Sequence, residues 1–164
     1  MPNAHSITLR PAAPADIPLI LALIRELAEY EKEPDSAKAT PEQLQRHLFG
    51  PRPYAEVLIA EVGAEPAGFA LFFHNFSTWT GQPGIYLEDL FVRPQYRGLG
   101  VGKRLIAQVA KIAVERDCGR FEWSVLDWNE PAIRFYRSLG AKPMDEWTVQ
   151  RMTGEALRNL AAQA

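Results

Sequence analysis

The sequence predicts an α/β protein: a mixed, mostly antiparallel sheet with one central β-α-β crossover and flanking helices. Three observations predict it. "AEVLIAEV" (55–62) and "AGFALFFH" (67–74) are apolar runs joined by the breaker "GAEP", a hairpin signal. "GVGKRLIAQVAKIAVERD" carries Leu105, Val109 and Ile112 on one stripe with Ile106, Ala110 and Ala113 beside it, a helical period. That helix stands between "GIYLEDLFV" and "RFEWSVL", so it is a crossover that would make those two strands parallel.

The remaining elements follow in order. "SITLRP" predicts a short first strand. A helix follows, with Asp16 as its cap, Pro18 in its first turn, and Ile20, Leu23, Ile24 and Leu27 repeating at helical spacing. Tyr30 falls on the same face one turn later. Pro41 opens a short helix through "PEQLQRHLF". "NFSTWTGQP" predicts a loop between the second hairpin strand and "GIYLEDLFV". "NEPAIRFYRSLG" is a helix capped by Asn129, with Pro131 in its first turn and Gly140 at its left-handed end. "EWTVQRM" predicts a last strand, and "TGEALRNLA" a terminal helix capped by Thr153.

Bulk properties bound the function. The 164 residues fit a single domain spanning 1–164, with no repeat and no low-complexity segment. A net charge of −2 gives no global field for nucleic acid or an anionic membrane. No apolar run is long enough to span a bilayer, and "MPNAHSITLRP" has no apolar signal core, so a cytoplasmic protein is expected. The single cysteine, Cys118, cannot form an internal disulfide and reads as structural. His5, His47 and His74 have no ligand spacing, so no metal is expected.

The chemistry concentrates in "YLEDLFVRPQYRGLGVGKRL". Gly98, Gly100 and Gly102 occupy alternate positions between a strand and a helix. Such a turn lets successive backbone N–H groups converge on an anion at the positive helix end, and the missing Cβ atoms let a phosphate approach. A P-loop does not fit, because Lys103 is followed by Arg104 and no hydroxyl is present for magnesium. A dinucleotide fingerprint does not fit either, because the third glycine comes two residues after the second rather than three. What remains is Arg97-x-x-Gly100-x-Gly102, with Lys103 and Arg104 adding charge at the rim.

"LFVRPQYRGLGVGKRLI" resembles the acetyl-coenzyme A loop of the GNAT superfamily of N-acetyltransferases, whose signature is Arg/Gln-x-x-Gly-x-Gly/Ala. "LIRELAEYE", "YLED", "YRGLGVG", "WNEPAIRFY" and "LGA" occur in the order and at nearly the spacing of its spermidine/spermine and thialysine N-acetyltransferase branch, over nearly the whole chain. The resemblance implies the GNAT fold, with two central parallel strands splayed apart, and acetyl-CoA as co-substrate. By matching position, Arg97, Gly98, Leu99, Gly100, Val101, Gly102 and Lys103 would hold the pyrophosphate. Leu90, Phe91 and Val92 would offer backbone groups to the pantetheine arm and the acetyl carbonyl. Asn129 and Pro131 would line the same cofactor.

The resemblance also implies the catalytic groups. Tyr136 matches the general acid that protects the leaving thiolate, although its periodicity alone would suit packing. Glu88 matches the acid that deprotonates the amine and attracts its cation. Glu88 and Asp89 are neighbours on a strand, so strict alternation would send them to opposite faces, and Asp89 has no assigned role. Tyr30, Glu31 and Trp79 match substrate-side residues, and Glu26, Glu29, Glu33 and Asp35 add acidity near the first two. The polyamine enzymes carry an acid two residues before the tryptophan matching Trp79, where this chain has Ser77. A shorter diamine or a lysine-like amino acid is therefore at least as good an acceptor as a polyamine. The expected reaction is direct attack of a small cationic amine on acetyl-CoA in a ternary complex, in a homodimer with residues of both subunits near the amine. The alternatives are a protein or peptide N-acetyltransferase and a non-catalytic acetyl-CoA sensor.

Overall fold

The computed structural model describes residues 6–164, so His5 lies outside the described residues. The chain divides into two compact units, one ending at Leu126 and the other spanning Asp127–Ala164. The first contains β1 (Ile7–Pro11), α1 (Ile17–Tyr30), α2 (Pro41–Leu48), β2 (Glu56–Val62), β3 (Glu65–Ser77), β4 (Gln82–Val92), α3 (Val101–Glu115) and β5 (Arg120–Trp123). The strands lie in the order β1-β2-β3-β4-β5. The pairings from β1 to β4 are antiparallel, and β4–β5 is parallel, as the helical crossover requires.

The two faces of this sheet are covered by different helices. Ile17, Ile20, Leu21 and Leu23 of α1 and Leu44 of α2 pack with Val57, Ile59, Phe69 and Phe91. Each such side chain contributes about 1.5–3 kcal/mol on full burial. On the opposite face α3 buries Val101, Leu105, Ile106, Val109 and Ala113. There Gly102 approaches the Val92 side chain, and Ile112 lines one recess with Leu58 and Phe72.

Capping differs in detail from expectation. Asp16 stands at the start of α1 but makes no side-chain cap bond to it. Its carboxylate instead accepts two bonds from the Arg10 guanidinium, at 2.8 and 2.9 Å, and one from the Ala13 N–H at 2.7 Å. A charge-assisted fork outcompetes a neutral cap. Thr40 and Gln43 form a reciprocal capping box at α2, which "T-P-E-Q" encodes. The β3–β4 hairpin is longer than predicted: Ser77 pairs with Gln82, leaving residues 78–81 as the turn.

The consequential departure lies in β4. Leu71 of β3 faces Asp89, and the next residue, Phe72, faces Leu87. Glu88 is the extra residue of a two-against-one bulge, which resets the alternation of the strand. Asp89 therefore shares a sheet face with Leu71, Phe69 and Phe91, the face covered by α1, whereas Leu87 shares the face of Phe72. The strict alternation from which opposite faces were expected for Glu88 and Asp89 does not run through a bulge.

The second unit contains α4 (Glu130–Ser138) and α5 (Gly154–Ala161). The Asn129 side chain accepts a bond from the Ala132 N–H at 3.4 Å, so it caps α4 as its sequence suggests. Gly140 takes φ 90°, ending that helix in the left-handed conformation. Thr153 precedes α5 without a side-chain bond to it. The predicted strand "EWTVQRM" has no place in the sheet. Trp147 and Val149 are 73% and 78% exposed. Alternation produces a strand only where an edge pairs its backbone and a core takes one of its faces.

Candidate functional site

The glycine turn is built by two left-handed residues. Gly98 and Gly100 take φ 80° and 87°, and a Cβ at either would meet no atom within 4 Å. Conformation, and not crowding within the chain, therefore requires glycine there. Gly100 is the N-cap of α3, and its carbonyl accepts from the Arg104 N–H at 3.0 Å. The amides of residues 101–103 lie ahead of that first helical bond, at the positive end of the helix. Lys103 is exposed beside them. Arg104 donates to the Ile7 carbonyl at 3.0 Å, which ties α3 to β1.

Arg97 connects the turn to the end of α1. Its Nε donates to the Val92 carbonyl at 3.0 Å. Its guanidinium lies 4.7 Å from the Tyr30 ring centroid and 5.8 Å from that of Phe91. The two rings are themselves 6.5 Å apart. A residue expected on the cofactor side thus stacks on one expected on the substrate side.

The strand leading to the turn is half open. Parallel pairing with β5 runs only from Gly84 to Leu87, whereas pairing with β3 continues to Val92. On its β5 side the stretch 88–92 has no strand partner among the described residues. Leu90, Phe91 and Val92 stand in that stretch, so backbone polar groups other than the Val92 carbonyl, which Arg97 occupies, are left for an extended, amide-bearing chain to satisfy. Open backbone there, two cradle-forming glycines and the leading amides of α3 fit the pantetheine and pyrophosphate of coenzyme A.

Three acids converge near the start of this open stretch. Glu88 is exposed on the bulge. Asp89 is half-buried, and its carboxyl is pushed up to about 7, first by desolvation and then by the negative charges of Glu88 and Glu31. Glu31, at the C-terminal end of α1, has its own pKa raised by burial. None of the three has a hydrogen bond or ion pair to its carboxylate among the described residues. By contrast, Glu26 on the preceding turn of α1 is neutralised by a two-pronged bond from Arg93, at 2.9 and 2.8 Å. Sequence reasoning missed Asp89 because no local signal marks a bulge.

Trp79 does not join this group. Trp79 sits at the tip of the β3–β4 hairpin and is 89% exposed. About 20 Å of strand separates that tip from Glu88. In the second unit, Asn129 is buried at 8% exposure, Pro131 lies in the first turn of α4, and Tyr136 is half-buried with its ring 5.5 Å from Phe135. Cys118 lies 3.8 Å from His74 Nδ1, in a cluster with Arg116 and Glu56 on the far side of β3 and α3. Among the described residues no group of His, Cys, Asp and Glu side chains is placed to hold a metal ion. No described helix is long and apolar enough to cross a membrane. Recesses of ≈ 340 and ≈ 410 Å³ contain none of the expected site residues.

Comparison with known proteins adds to this geometry. Residues 20–141 match the family described as acetyltransferase (GNAT). The chain is 41% identical over 169 aligned positions to the thialysine N-epsilon-acetyltransferase of Sus scrofa, covering 96% of this chain and 99% of that protein. It is 33% identical to an L-ornithine N5-acetyltransferase of Arabidopsis thaliana, covering 96% of this chain and 90% of the relative. Among solved structures, an integron cassette protein from the mobile metagenome of V. cholerae superposes with a TM-score of 0.79 at 28% identity, over 95% of this chain and 98% of that one.

Proposed function

Because the chain belongs to the GNAT family of acetyltransferases, we propose that it transfers an acetyl group from acetyl-CoA to the primary amine of a small cationic acceptor, with a lysine-like amino acid or short diamine as the best-supported class. The observation that carries this reading is the juxtaposition of the glycine turn with Glu31, Glu88 and Asp89, three carboxylates with no cation paired to them. An uncompensated negative cluster favours a positively charged ligand. The 41% identity to a thialysine N-epsilon-acetyltransferase supports the same acceptor class.

Acetyl-CoA supplies an activated acetyl thioester when bound. The turn from Arg97 to Lys103 holds its pyrophosphate with backbone amides and charge. The open stretch of β4 pairs with its pantetheine, and amides near Phe91 orient the acetyl carbonyl. Glu88 faces the incoming ammonium, attracts it and receives its proton through water, because an ammonium with a pKa of about 10 cannot attack while protonated. Tyr136 donates to the departing sulfur, a role suited to a phenol hydroxyl. Asn129 and Pro131 shape the start of α4 as a further cofactor-lining segment. Tyr30 and Glu31 contact the acceptor. Trp79, exposed at a hairpin tip, would reach an acceptor bound to a second copy, consistent with a homodimer that shares its sites.

The test is free-thiol release from acetyl-CoA with thialysine, lysine, ornithine, spermidine and an unblocked peptide. Turnover is expected with the small cationic amines. Release only with the peptide would establish a protein acetyltransferase instead. Tight acetyl-CoA binding with no release from any amine would establish a sensor.

A further inference from the structure

We infer that Asp89, half-buried next to Glu88 on the bulge, takes up the proton leaving the acceptor ammonium before it passes to solvent, so that Glu88 is not the sole base of the amine site. The inference rests on the acetyl-transfer reading above and deepens it.

The geometry carries it. The bulge at Glu88 turns Asp89 onto the α1 face of β4, beside Phe91 and across from Leu71. The charged and titratable groups presented to that face can be named by element. β4 contributes Glu88, and α1 contributes Glu31 and the Tyr30 hydroxyl. β3 contributes the apolar Leu71 opposite. Of the nearby cations, Arg97 lies on the Tyr30 and Phe91 rings and Arg93 is bound to Glu26. The charges that act on Asp89 are those of Glu88 and Glu31, both negative. Such a carboxylate holds a proton more tightly than an exposed one.

The reaction needs such a group. Acetylation converts an ammonium and a thioester into an amide, a thiol and one released proton. The N–C bond forms and the C–S bond breaks. Of the two protons the nitrogen loses, one is matched by the proton the thiol gains and the other goes to solvent. The first must leave before attack. A base whose pKa lies near the working pH accepts that proton readily and passes it to water readily, and Asp89 is placed near 7. The arriving cation also favours ionised Asp89, so acceptor binding prepares the base.

Two measurements test this on the intact protein. In the first, the Asp89 carboxyl is titrated by carbon-13 NMR of labelled aspartate, assigned with Asp89→Asn. A midpoint near 7 is expected, moving down in Glu31→Gln as one negative charge is removed. A wild-type midpoint below about 5 overturns the inference whatever the activity, because the group would then be an ordinary carboxylate. In the second, kcat/KM for thialysine is followed against pH. The acid limb near 7 should be displaced in Asp89→Asn, with kcat at pH 7.5 down about tenfold or more and the KM for acetyl-CoA within about twofold. An unchanged limb with less than about twofold loss in Asp89→Asn, alongside a lost limb in Glu88→Gln, overturns the inference and returns the proton to Glu88. Absence of turnover with every amine, with Asp89 still titrating near 7, overturns the acetyl-transfer reading itself.

Discussion

The guanidinium of Arg97 lies 4.7 Å from the centre of the Tyr30 ring, so the turn expected to hold the cofactor and the helix end expected to hold the acceptor share one contact. Arg97→Ala should therefore disturb both substrates. Loss of a charge-assisted bond to phosphate costs about 1.5–3 kcal/mol, or roughly ten- to a hundredfold in the KM for acetyl-CoA. Loss of the cation–π contact should add a smaller rise in the amine KM, about two- to fivefold. Steady-state kinetics with each substrate varied in turn check this; an amine KM that stays constant would show that the Tyr30 contact has no consequence for the acceptor.

The glycines of the turn should separate by conformation. Gly100 needs φ 87°, whereas Gly102 lies inside α3 and a Cβ there would meet only the Val92 side chain, at 3.6 Å. Gly100→Ala should lower stability by about 1–2 kcal/mol and weaken acetyl-CoA binding. Gly102→Ala should keep or raise the melting temperature, because alanine is favoured over glycine within a helix by about 1 kcal/mol. Thermal melts with and without acetyl-CoA decide between them. Equal losses in both variants would contradict the assignment.

Asp89 should also leave a signature in stability. Its folded pKa is raised, from an ordinary 3.8 to about 7. Between those values the native chain holds a proton the unfolded chain has lost, so stability falls as pH rises through that window. The contribution is complete below about pH 4 and gone above about pH 7, an upper bound of about 4 kcal/mol. Asp89→Asn carries no such titration and should gain on the wild type as pH rises from about 5 to 8. Urea denaturation across that range measures the difference; a constant offset would sink the prediction.

Tyr136→Phe removes one hydroxyl from a half-buried ring on α4. If the phenol donates to the leaving sulfur, kcat should drop about a hundredfold or more with the amine KM little changed. A rate within about threefold of wild type would assign the ring to packing.

Much of this architecture is legible residue by residue. The hairpin of β2 and β3, the crossover through α3, the turn at Gly98 and Gly100, and the Asn129 cap all announce themselves through signals within a few residues of where they act. Those signals report φ preference, periodicity and capping chemistry, which are local properties. The chain alone therefore determined the glycine turn, its flanking strand and helix, and the family they belong to.

Tertiary structure decided how those pieces meet. Whether Glu88 and Asp89 face apart depends on which β3 residue each one opposes, and the bulge between Leu87 and Asp89 exists only once β3 is paired. "EWTVQRM" has the period of a strand yet is not among the strands of the sheet in the described residues. Nothing local to Arg104 tells that its guanidinium donates to the Ile7 carbonyl of β1. Register, edge pairing and competition for a charged side chain are settled between segments far apart in sequence. The same long-range pairing places Asp89 beside Glu31, whose negative charge acts on a carboxylate 58 positions further along the chain (89 minus 31).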